Sequence, residues 1–349
     1  MKHKILRRAI VWLPTLAGLA GGAWAAGKPV VCVWDIMGTA GSTYSMAQDY
    51  AVAMGRQGVD LELKSYINER IAVEDFRTGQ CVAALMTGFK ARQFNKLAGS
   101  LDSMGSTTVV RDGRIDMPGS YEVLRRAIQV FSSPQANQLM QDGAFEIGGL
   151  FPLGAAYPML RDRSLTSAEA LAGKKVAVFD DDKAQGLLIQ MLGAQPVSVD
   201  VMNVGTKFNN GMVDLVHLPA MTYKPFELAK GMGSKGAVVR MPVMMPTIQL
   251  VLYKARFPEG FGQQSRAFWA AQFDRAKGFA AQAETGIPAA TWYDMPKEHL
   301  AAYARALREG RLEGAKQGIY SKRTLNVLQK TRCGISPTEP ECSQPKEIE

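Results

Sequence analysis

Short β-rich runs and helical stretches alternate along most of the chain, and this order constrains the fold more than any other feature. In the first part, strand-like runs at 30–37, 59–66 and 81–87 are separated by predicted helices at 43–54 and around 73–77. Parallel strands need a helical crossover between them. The βαβαβ order therefore predicts a doubly wound α/β unit with a mainly parallel sheet.

A second unit of the same kind follows after a stretch that is broken by glycine and proline. Its predicted strands and helices lie at 174–179, 183–192, 197–200, 207–212 and 213–218. The β-branched and methionine-rich stretch 237–253, punctuated by Pro242 and Pro246, predicts a strand pair that returns to the first unit. Amphipathic spacing then predicts a helix at 262–285.

The first 25 residues predict an export signal. Four Lys and Arg residues precede an apolar run at 10–20 and an Ala23-Trp24-Ala25 cleavage site. The run contains Pro14 and is about a dozen residues long, whereas a transmembrane helix needs about 20. We therefore expect cleavage near Ala25 and a soluble, periplasmic chain. The 324 residues that remain exceed an ordinary single core and predict two lobes.

The charge pattern argues against one class of partner. The formal net charge is +9 for the whole chain and +5 without the first 25 residues, which carry four cations and no acid. The basic residues are scattered among acids, and no Lys/Arg run is interleaved with aromatic side chains as a nucleic-acid groove requires. The sequence therefore predicts no nucleic-acid partner.

Four cysteines in an oxidising compartment predict up to two disulfides, with three connectivities open. Cys333 and Cys342 lie close together in a tail rich in Pro and Glu, and their pairing would clip that tail into a loop. Cys32 and Cys81 lie in strand-like segments and either bridge neighbouring strands or remain buried free thiols. Their spacing resembles no zinc site.

The sequence contains few residues and motifs that are typical of catalysis. His3 lies in the export signal, His217 is embedded in an apolar strand and is predicted to be core, and His299 lies on a predicted surface helix. The chain contains no G-x-S-x-G, H-E-x-x-H or P-loop motif. The sequence therefore predicts no enzyme, no cofactor and no metal.

Candidate ligand-binding residues follow the predicted strands. Doubly wound sheets bind ligands at the carboxyl ends of their strands, because helix N-termini and loop amides converge there. Three loops, at 35–42, 87–95 and 180–183, occupy such places. Together with two polar positions around the strand at 213–218, they provide these candidates: Asp35, Thr39, Ser42, Thr87, Arg92, Asn95, Asp180, Lys183, Asn210 and Tyr223.

Each loop also has a purely structural interpretation. The 35–42 segment is equally typical of a strand-to-helix turn with an N-cap. Arg92 can bind a carboxylate or phosphate through the paired N–H groups of its planar guanidinium. Alternatively, it lies on a solvated helix face. The Asp180-Asp181-Asp182 run also stabilises a helix N-terminus and lacks the ligand series of a calcium loop. Trp34 is either core or pocket wall.

Several motifs resemble a known family. They are FRTGQCVAALMTG at 76–88, RQFN at 92–95, GSLD at 99–102, FPLGAAY at 151–157, AGKKVAV at 172–178, KFNNG at 207–211, FPEGFGQ at 257–263 and the cysteine pattern at 332–342. The chain resembles the DctP-type solute-binding proteins of TRAP transporters. It is more similar still to a branch of solute-binding proteins sometimes described as components of resistance-nodulation-division efflux pumps.

The resemblance implies a type II periplasmic-binding-protein fold, with two doubly wound α/β lobes, hinge strands and a long C-terminal helical region. We expect a first lobe at 26–155 plus 250–349 and a second lobe at 156–249. A small-molecule solute, with an organic acid as one candidate, would bind between the lobes and be delivered to inner-membrane transporter subunits. The alternative is a periplasmic accessory or adaptor protein of an efflux system, without a receptor role.

One position departs from the family pattern. TRAP receptors usually carry an arginine in the second lobe that pairs with the carboxylate of the ligand, and the corresponding residue here is Ala177. The clamp is therefore absent or has moved, with Arg92 and Lys183 as the candidates. The resemblance does not fix the charge of the solute.

Overall fold

The structure is a computed structural model that describes residues 27–167, 169–344 and 346–349. The predicted export signal, with its cleavage site near Ala25, lies outside the described residues. Within the described part of the chain, no helix combines the length and the apolar character needed to cross a membrane.

Fourteen strands are present in the described residues. In chain order they are β1 (Val30–Trp34), β2 (Glu62–Tyr66), β3 (Ala83–Thr87), β4 (Val110–Arg111), β5 (Arg114–Ile115), β6 (Gln141–Asp142), β7 (Phe145–Pro152), β8 (Ala156–Leu160), β9 (Lys175–Phe179), β10 (Gln195–Val199), β11 (Leu215–Pro219), β12 (Ala237–Val239), β13 (Thr247–Tyr253) and β14 (Trp292–Tyr293).

Twelve α-helices accompany them in the same residues. They are α1 (Ser42–Gly55), α2 (Glu69–Arg77), α3 (Gly88–Ala91), α4 (Lys96–Gly99), α5 (Met117–Ser132), α6 (Lys183–Met191), α7 (Val204–Asn209), α8 (Leu228–Met232), α9 (Phe261–Ala271), α10 (Phe273–Thr285), α11 (Lys297–Lys316) and α12 (Lys322–Ile335). The helix predicted at 262–285 is divided into α9 and α10 at Gln272.

The first large sheet has the strand order β2-β1-β3-β13-β7-β6. Its strands β1, β2 and β3 are parallel, and β13 runs antiparallel to both β3 and β7. The residues of β3 are all buried. A continuous apolar strand of this kind is expected where helices cover both faces of a parallel sheet.

The second large sheet, in the order β10-β9-β11-β8-β12-β14, repeats the plan of the first. Three parallel strands, β10, β9 and β11, are followed by β8, which runs antiparallel to β11 and β12. The fold class predicted from the sequence, a mixed α/β chain with two doubly wound units, is confirmed. The division at 155, 156, 249 and 250 stays a prediction, and β14 joins the second sheet from late in the chain.

Two chain crossings connect the sheets and lie side by side. Between β7 and β8, the Leu153 N–H donates to the Pro246 carbonyl at 2.8 Å. Between β12 and β13, the Ala156 N–H donates to the Met244 carbonyl at 3.0 Å and the Val243 N–H donates to the Ala156 carbonyl at 2.9 Å. We call the part built on the first sheet the first lobe, the part built on the second sheet the second lobe, and these crossings the hinge.

Both predicted disulfides are present. Cys32 in β1 is bonded to Cys81, just before β3, with a Cα–Cα distance of 5.7 Å. The alternative of free thiols at these two positions is wrong. Cys333 in α12 is bonded to Cys342 with a Cα–Cα distance of 5.5 Å and clips the C-terminal tail, as predicted.

Candidate functional site

A cavity lies between the lobes at the carboxyl ends of β1, β3, β9 and β11. About 70 Å³ of it is accessible to water-sized molecules, within about 690 Å³ of atom-free space that includes open solvent. Hinge residues close its floor, and its walls are mainly apolar, with four aromatic side chains: Trp34, Phe89, Phe179 and Phe226. Its position is the one that a doubly wound sheet predicts for a ligand.

Four buried polar atoms in the cavity wall have no hydrogen-bond partner among the described residues. They are Trp34 Nε1, Glu69 Oε2, Thr87 Oγ1 and His217 Nε2. Each of these residues is at most 6 % exposed. Leaving a buried donor or acceptor unsatisfied costs about 1–3 kcal/mol, and such groups are normally paired in native proteins. Trp34, Glu69, Thr87 and His217 thus bring four such atoms to the residues that line one cavity.

Glu69 is held in this wall by its position at the start of α2. The Asn68 side chain caps that helix by accepting from the Arg70 N–H at 3.0 Å. Glu69 Oε1 then accepts from the Thr87 N–H at 2.6 Å, which joins α2 to the end of β3. Burial raises the pKa of the Glu69 carboxyl, and the hydrogen bond from Thr87 opposes this rise.

His217 lies in β11, and its neighbour Gln185 defines its tautomer. Gln185 Oε1 accepts from the Phe179 N–H at 3.0 Å, so its amide nitrogen faces His217 Nδ1 at 3.3 Å. His217 Nδ1 therefore accepts, and the ring proton is placed on Nε2, which is a donor without a partner among the described residues. Burial lowers the pKa of His217 to about 4, so that the ring is neutral at pH 7.

The polar residues of the loop at 35–42 serve its own turn, whereas Ile36 of the same loop lines the cavity. Asp35 is buried, and its carboxylate accepts from the Met37 and Thr43 N–H groups at 2.8 Å each. Burial raises the pKa of Asp35, and these backbone hydrogen bonds oppose the rise. Thr39 is exposed and Ser42 is half-buried at the start of α1. Asp35 thus acts as the cap that the structural interpretation describes.

The loops at 87–95 and 180–183 meet across the two lobes. Asp180 pairs with Arg70 at 3.1 Å, Asp181 pairs with Lys90, and Asp182 pairs with Arg92 at 3.6 Å. We call these three contacts the interlobe ion pairs. In these contacts, each of the three consecutive aspartates is paired with a cation of the first lobe. Lys183, the next residue, is exposed.

Arg92 and Asp182 form the buried member of this set, with side chains 10 % and 5 % exposed. Arg92 Nε also donates to the Gly99 carbonyl at 3.3 Å, and the guanidinium lies 4.7 Å from the centre of the Tyr320 ring. A Cβ on Gly99 would clash with the Arg92 backbone, so glycine permits this approach. The guanidinium of Arg92 is therefore directed at Asp182.

The other predicted site residues lie away from the cavity wall. Asn95 caps α4 by accepting from the Ala98 N–H at 2.8 Å and donates to the Leu139 carbonyl at 3.1 Å. Asn210 is exposed at the end of α7, and Tyr223 packs in the apolar core. Ala177, at the place of the usual arginine, is buried in β9.

Thr87 is thus the predicted site residue that lines the cavity. Sequence reasoning missed Glu69 as a site residue and assigned His217 to the core, where it is indeed buried, although it also lines the cavity. An acid in the first turn of a helix is common because it stabilises the helix N-terminus. The sequence around Glu69 therefore carries no signal that separates a buried cavity acid from a solvated one.

The comparisons with known proteins agree on one family. A family model described as "Solute-binding protein AdeT 1/2" matches residues 51–347. The chain belongs to the AdeT 1/2 family of solute-binding proteins. One family member, "Probable solute-binding protein AdeT1" of Acinetobacter baumannii, is 41 % identical over 311 residues, which cover 89 % of this chain and 99 % of the relative. "Probable solute-binding protein AdeT2" of the same species is 23 % identical over 239 residues, covering 68 % and 98 %.

Solved structures similar to this AdeT 1/2 family member are TRAP periplasmic solute-binding proteins. The Rhodoferax ferrireducens protein with bound malonate gives a TM-score of 0.66 at 13 % identity, covering 88 % of this chain and 100 % of its own. The Shewanella oneidensis protein with bound succinate gives 0.67 at 10 % identity, covering 87 % and 98 %. At these identities the likeness shows the fold, which is that of TRAP receptors.

Proposed function

We propose that this protein is a periplasmic receptor that captures a small solute in the cavity between its lobes and presents it to an inner-membrane transporter. Membership of a solute-binding family and the fold of TRAP receptors support this function. The observation that carries the proposal is the set of four unpartnered polar atoms among the residues that line a mainly apolar interlobe cavity. A binding site for a polar solute explains why four such atoms belong to residues that line the same cavity.

Capture by closure is supported by the distribution of these groups. Trp34, Glu69 and Thr87 belong to the first lobe, and His217 belongs to the second. A solute that contacts both sides binds the closed arrangement better than an open one, and it shifts the population towards closure. The hinge hydrogen bonds beside the cavity provide the axis for that movement.

A thermal-shift screen of the protein against a metabolite library tests the receptor function. The library should contain sugars, organic acids, amino acids, amines and nucleosides, together with the malonate and succinate that the solved TRAP proteins hold. A solute at 100 times its dissociation constant stabilises the protein by about 2.7 kcal/mol. The expected result is a concentration-dependent rise in Tm for one chemical class. A flat response to several hundred solutes would reject the receptor function.

A matched pair of variants places the response in the cavity. Val201 is half-buried and lines the cavity, so Val201→Trp should fill its mouth and remove the shift in Tm. Met202, the next residue, is 53 % exposed and is absent from the described cavity wall, so Met202→Trp should keep the shift. Equal loss in both variants would place the bound solute elsewhere.

Export is the second part of the proposal and has its own measurement. The protein should be recovered in the periplasmic fraction, with an N-terminal sequence that begins at Ala26. Recovery of an intact Met1 form from the cytoplasm would contradict a periplasmic receptor. The accessory alternative gains no support from the relatives, which are described as solute-binding proteins.

A further inference from the structure

The charges around the cavity are unusual for a site that would receive an organic acid. Three titratable residues line it in the described part of the chain: Glu69, Asp182 and His217. No lysine or arginine is among these described wall residues. The Asp182 charge is offset by Arg92 at 3.6 Å, and His217 is a neutral donor. Glu69 is therefore the one wall acid without a salt bridge among the described residues, and Lys90 is the cation whose charge acts on its carboxyl.

Lys90 and Arg70 of the first lobe form ion pairs with aspartates of the second lobe and do not line the cavity. Lys90 pairs with Asp181 and lines the adjacent open grooves, together with Arg70. Arg70 itself pairs with Asp180 and, at 3.7 Å, with Asp200. Glu69 borders one of these grooves as well, and the charge of Lys90 acts on its carboxyl, but neither of these two cations forms a salt bridge with it in the described structure.

An anionic solute would meet an unfavourable environment here. Its carboxylate would leave water for an apolar cavity that holds an acid and lacks a described cation, and burial of an unpaired charge is strongly disfavoured. An ammonium group meets the opposite situation. Burial raises the pKa of Glu69, but a bound ammonium group favours the ionised carboxylate, so that Glu69 Oε2 accepts a charge-assisted hydrogen bond from it. The rings of Trp34, Phe89, Phe179 and Phe226 line the same cavity and can contact the cation.

We infer that the cavity accepts a small organic amine with an apolar body, whose ammonium group donates to Glu69 in the first lobe. This inference rests on the proposed receptor function and names its substrate class. The N–H groups of Trp34 in the first lobe and His217 in the second lobe are donors. A hydroxyl or carbonyl oxygen on the same molecule satisfies them, so that the amine bridges the two lobes.

Matched compounds separate the charge of the solute from its shape. Amines, alcohols and carboxylates should be compared in sets that share one body: propyl, isopentyl, 2-phenylethyl and 2-(indol-3-yl)ethyl. Affinities are measured by isothermal titration calorimetry on the full exported protein, alongside the general metabolite library. For at least one body, the amine should bind at least about tenfold tighter than the alcohol and the carboxylate, a difference of about 1.4 kcal/mol.

Glu69→Gln tests the residue that carries the inference. The amide retains an oxygen to accept from the Thr87 N–H, so the junction of α2 and β3 is preserved. The affinity for the amine should fall roughly 10- to 100-fold, the range expected when a hydrogen bond to a charged group is lost, and the alcohol should be unaffected. Glu74→Gln, on an exposed side chain of the same helix, is the matched control and should leave both affinities unchanged.

The outcomes distinguish the inference from the proposed function. Tighter binding of a carboxylate than of its matched amine, or binding of a library solute without any amine, overturns the amine assignment and leaves the receptor function standing. Amine binding that Glu69→Gln does not weaken also overturns it. Absence of binding by every compound rejects the receptor function itself. If Glu69→Gln does not fold, the compound series on the unaltered protein still tests whether the cavity prefers an amine.

Discussion

The guanidinium of Arg92 in the first lobe lies 3.6 Å from the carboxylate of Asp182 in the second lobe, and both side chains are nearly buried. Two more exposed ion pairs, Arg70–Asp180 and Lys90–Asp181, flank this contact. Exposed pairs contribute about 0–1 kcal/mol, whereas removing one member of a buried pair leaves an uncompensated charge. Arg92–Asp182 is thus the ion pair on which the arrangement of the lobes depends most.

The first prediction concerns the energy that couples this pair. In a double-mutant cycle, we expect Arg92→Met and Asp182→Asn to show a coupling free energy of about 1–3 kcal/mol, as residues in contact do. Asparagine retains the ability to cap α6, where Asp182 accepts from the Gln185 N–H. The free energies of unfolding are measured by urea denaturation. A coupling energy near zero would show that the two charges act independently.

The same pair should influence the opening of the lobes. Arg92→Met is expected to increase the radius of gyration of the unliganded protein in solution scattering, because a buried interlobe attraction is lost. Arg70→Met is the matched control: its side chain is 61 % exposed and its pairs are solvated, so the radius should not change. An equal increase in both variants would assign the effect to net charge.

The second prediction follows from the lowered pKa of His217. The folded protein holds the ring neutral down to about pH 4, whereas the unfolded chain takes up a proton near pH 6.5. Between these two values the unfolded state binds more protons, so stability falls as the pH falls. Relative to His217→Gln, the wild-type protein should lose up to about 3 kcal/mol between pH 6.5 and pH 4.

Urea denaturation of both proteins at half-unit pH steps measures this difference. The difference should be constant above pH 7, where the ring is neutral in both states. His299→Gln, on α11 and outside the described cavity wall, is the control. If it reproduced the pH-dependence, His217 would not be its source.

The alternation of strands and helices was sufficient to predict the parallel strands of both sheets, and a buried strand such as β3 displays its continuous apolar run directly. The expectation that 237–253 returns to the first sheet as a strand pair was wrong for β12, which pairs with β8 and β14 in the second sheet. The interlobe ion pairs were not predictable in the same way. Arg92 and the run at 180–182 were each identified, yet about 90 residues separate them and no local pattern indicates that they meet. Glu69 was missed because its burial depends on contact with β3, while its sequence context is that of an ordinary first helical turn.

The third prediction compares the two disulfides. Cys32–Cys81 closes a loop with a sequence separation of 49, and Cys333–Cys342 one of 9. In the chain-entropy account, the longer loop stabilises by about 4 kcal/mol and the shorter by about 2.5 kcal/mol. We expect Cys32→Ala/Cys81→Ala to lower the free energy of unfolding more than Cys333→Ser/Cys342→Ser. Urea denaturation under non-reducing conditions measures both, and the reverse order would contradict the entropic account.

The tail beyond the second disulfide is held by a buried carboxylate. Glu347 accepts from Arg311 Nε at 3.1 Å and from Arg332 Nη2 at 3.2 Å, and its side chain is fully buried. Arg311 also donates to the Met104 carbonyl at 2.5 Å. The adjacent Gly105 N–H donates to the Val243 carbonyl of the hinge at 2.8 Å. A continuous set of polar contacts therefore joins the C-terminus to the hinge.

The fourth prediction is that Glu347→Gln destabilises the protein by about 3–5 kcal/mol, because it removes the charge that compensates two buried guanidinium groups. Glu341 still accepts from Arg332 Nε at 2.6 Å in the variant, but Arg311 would keep Glu341, at the longer distance of 3.8 Å, as its only described carboxylate partner. The control is Glu349→Gln, whose side chain is 86 % exposed and which should change stability by less than about 0.5 kcal/mol. The free energies of unfolding are compared by urea denaturation with the Cys333–Cys342 disulfide intact. Equal stabilities for the two variants would mean that the disulfide alone fixes the tail, whereas the expected difference makes Glu347 the residue that anchors the tail beside the hinge.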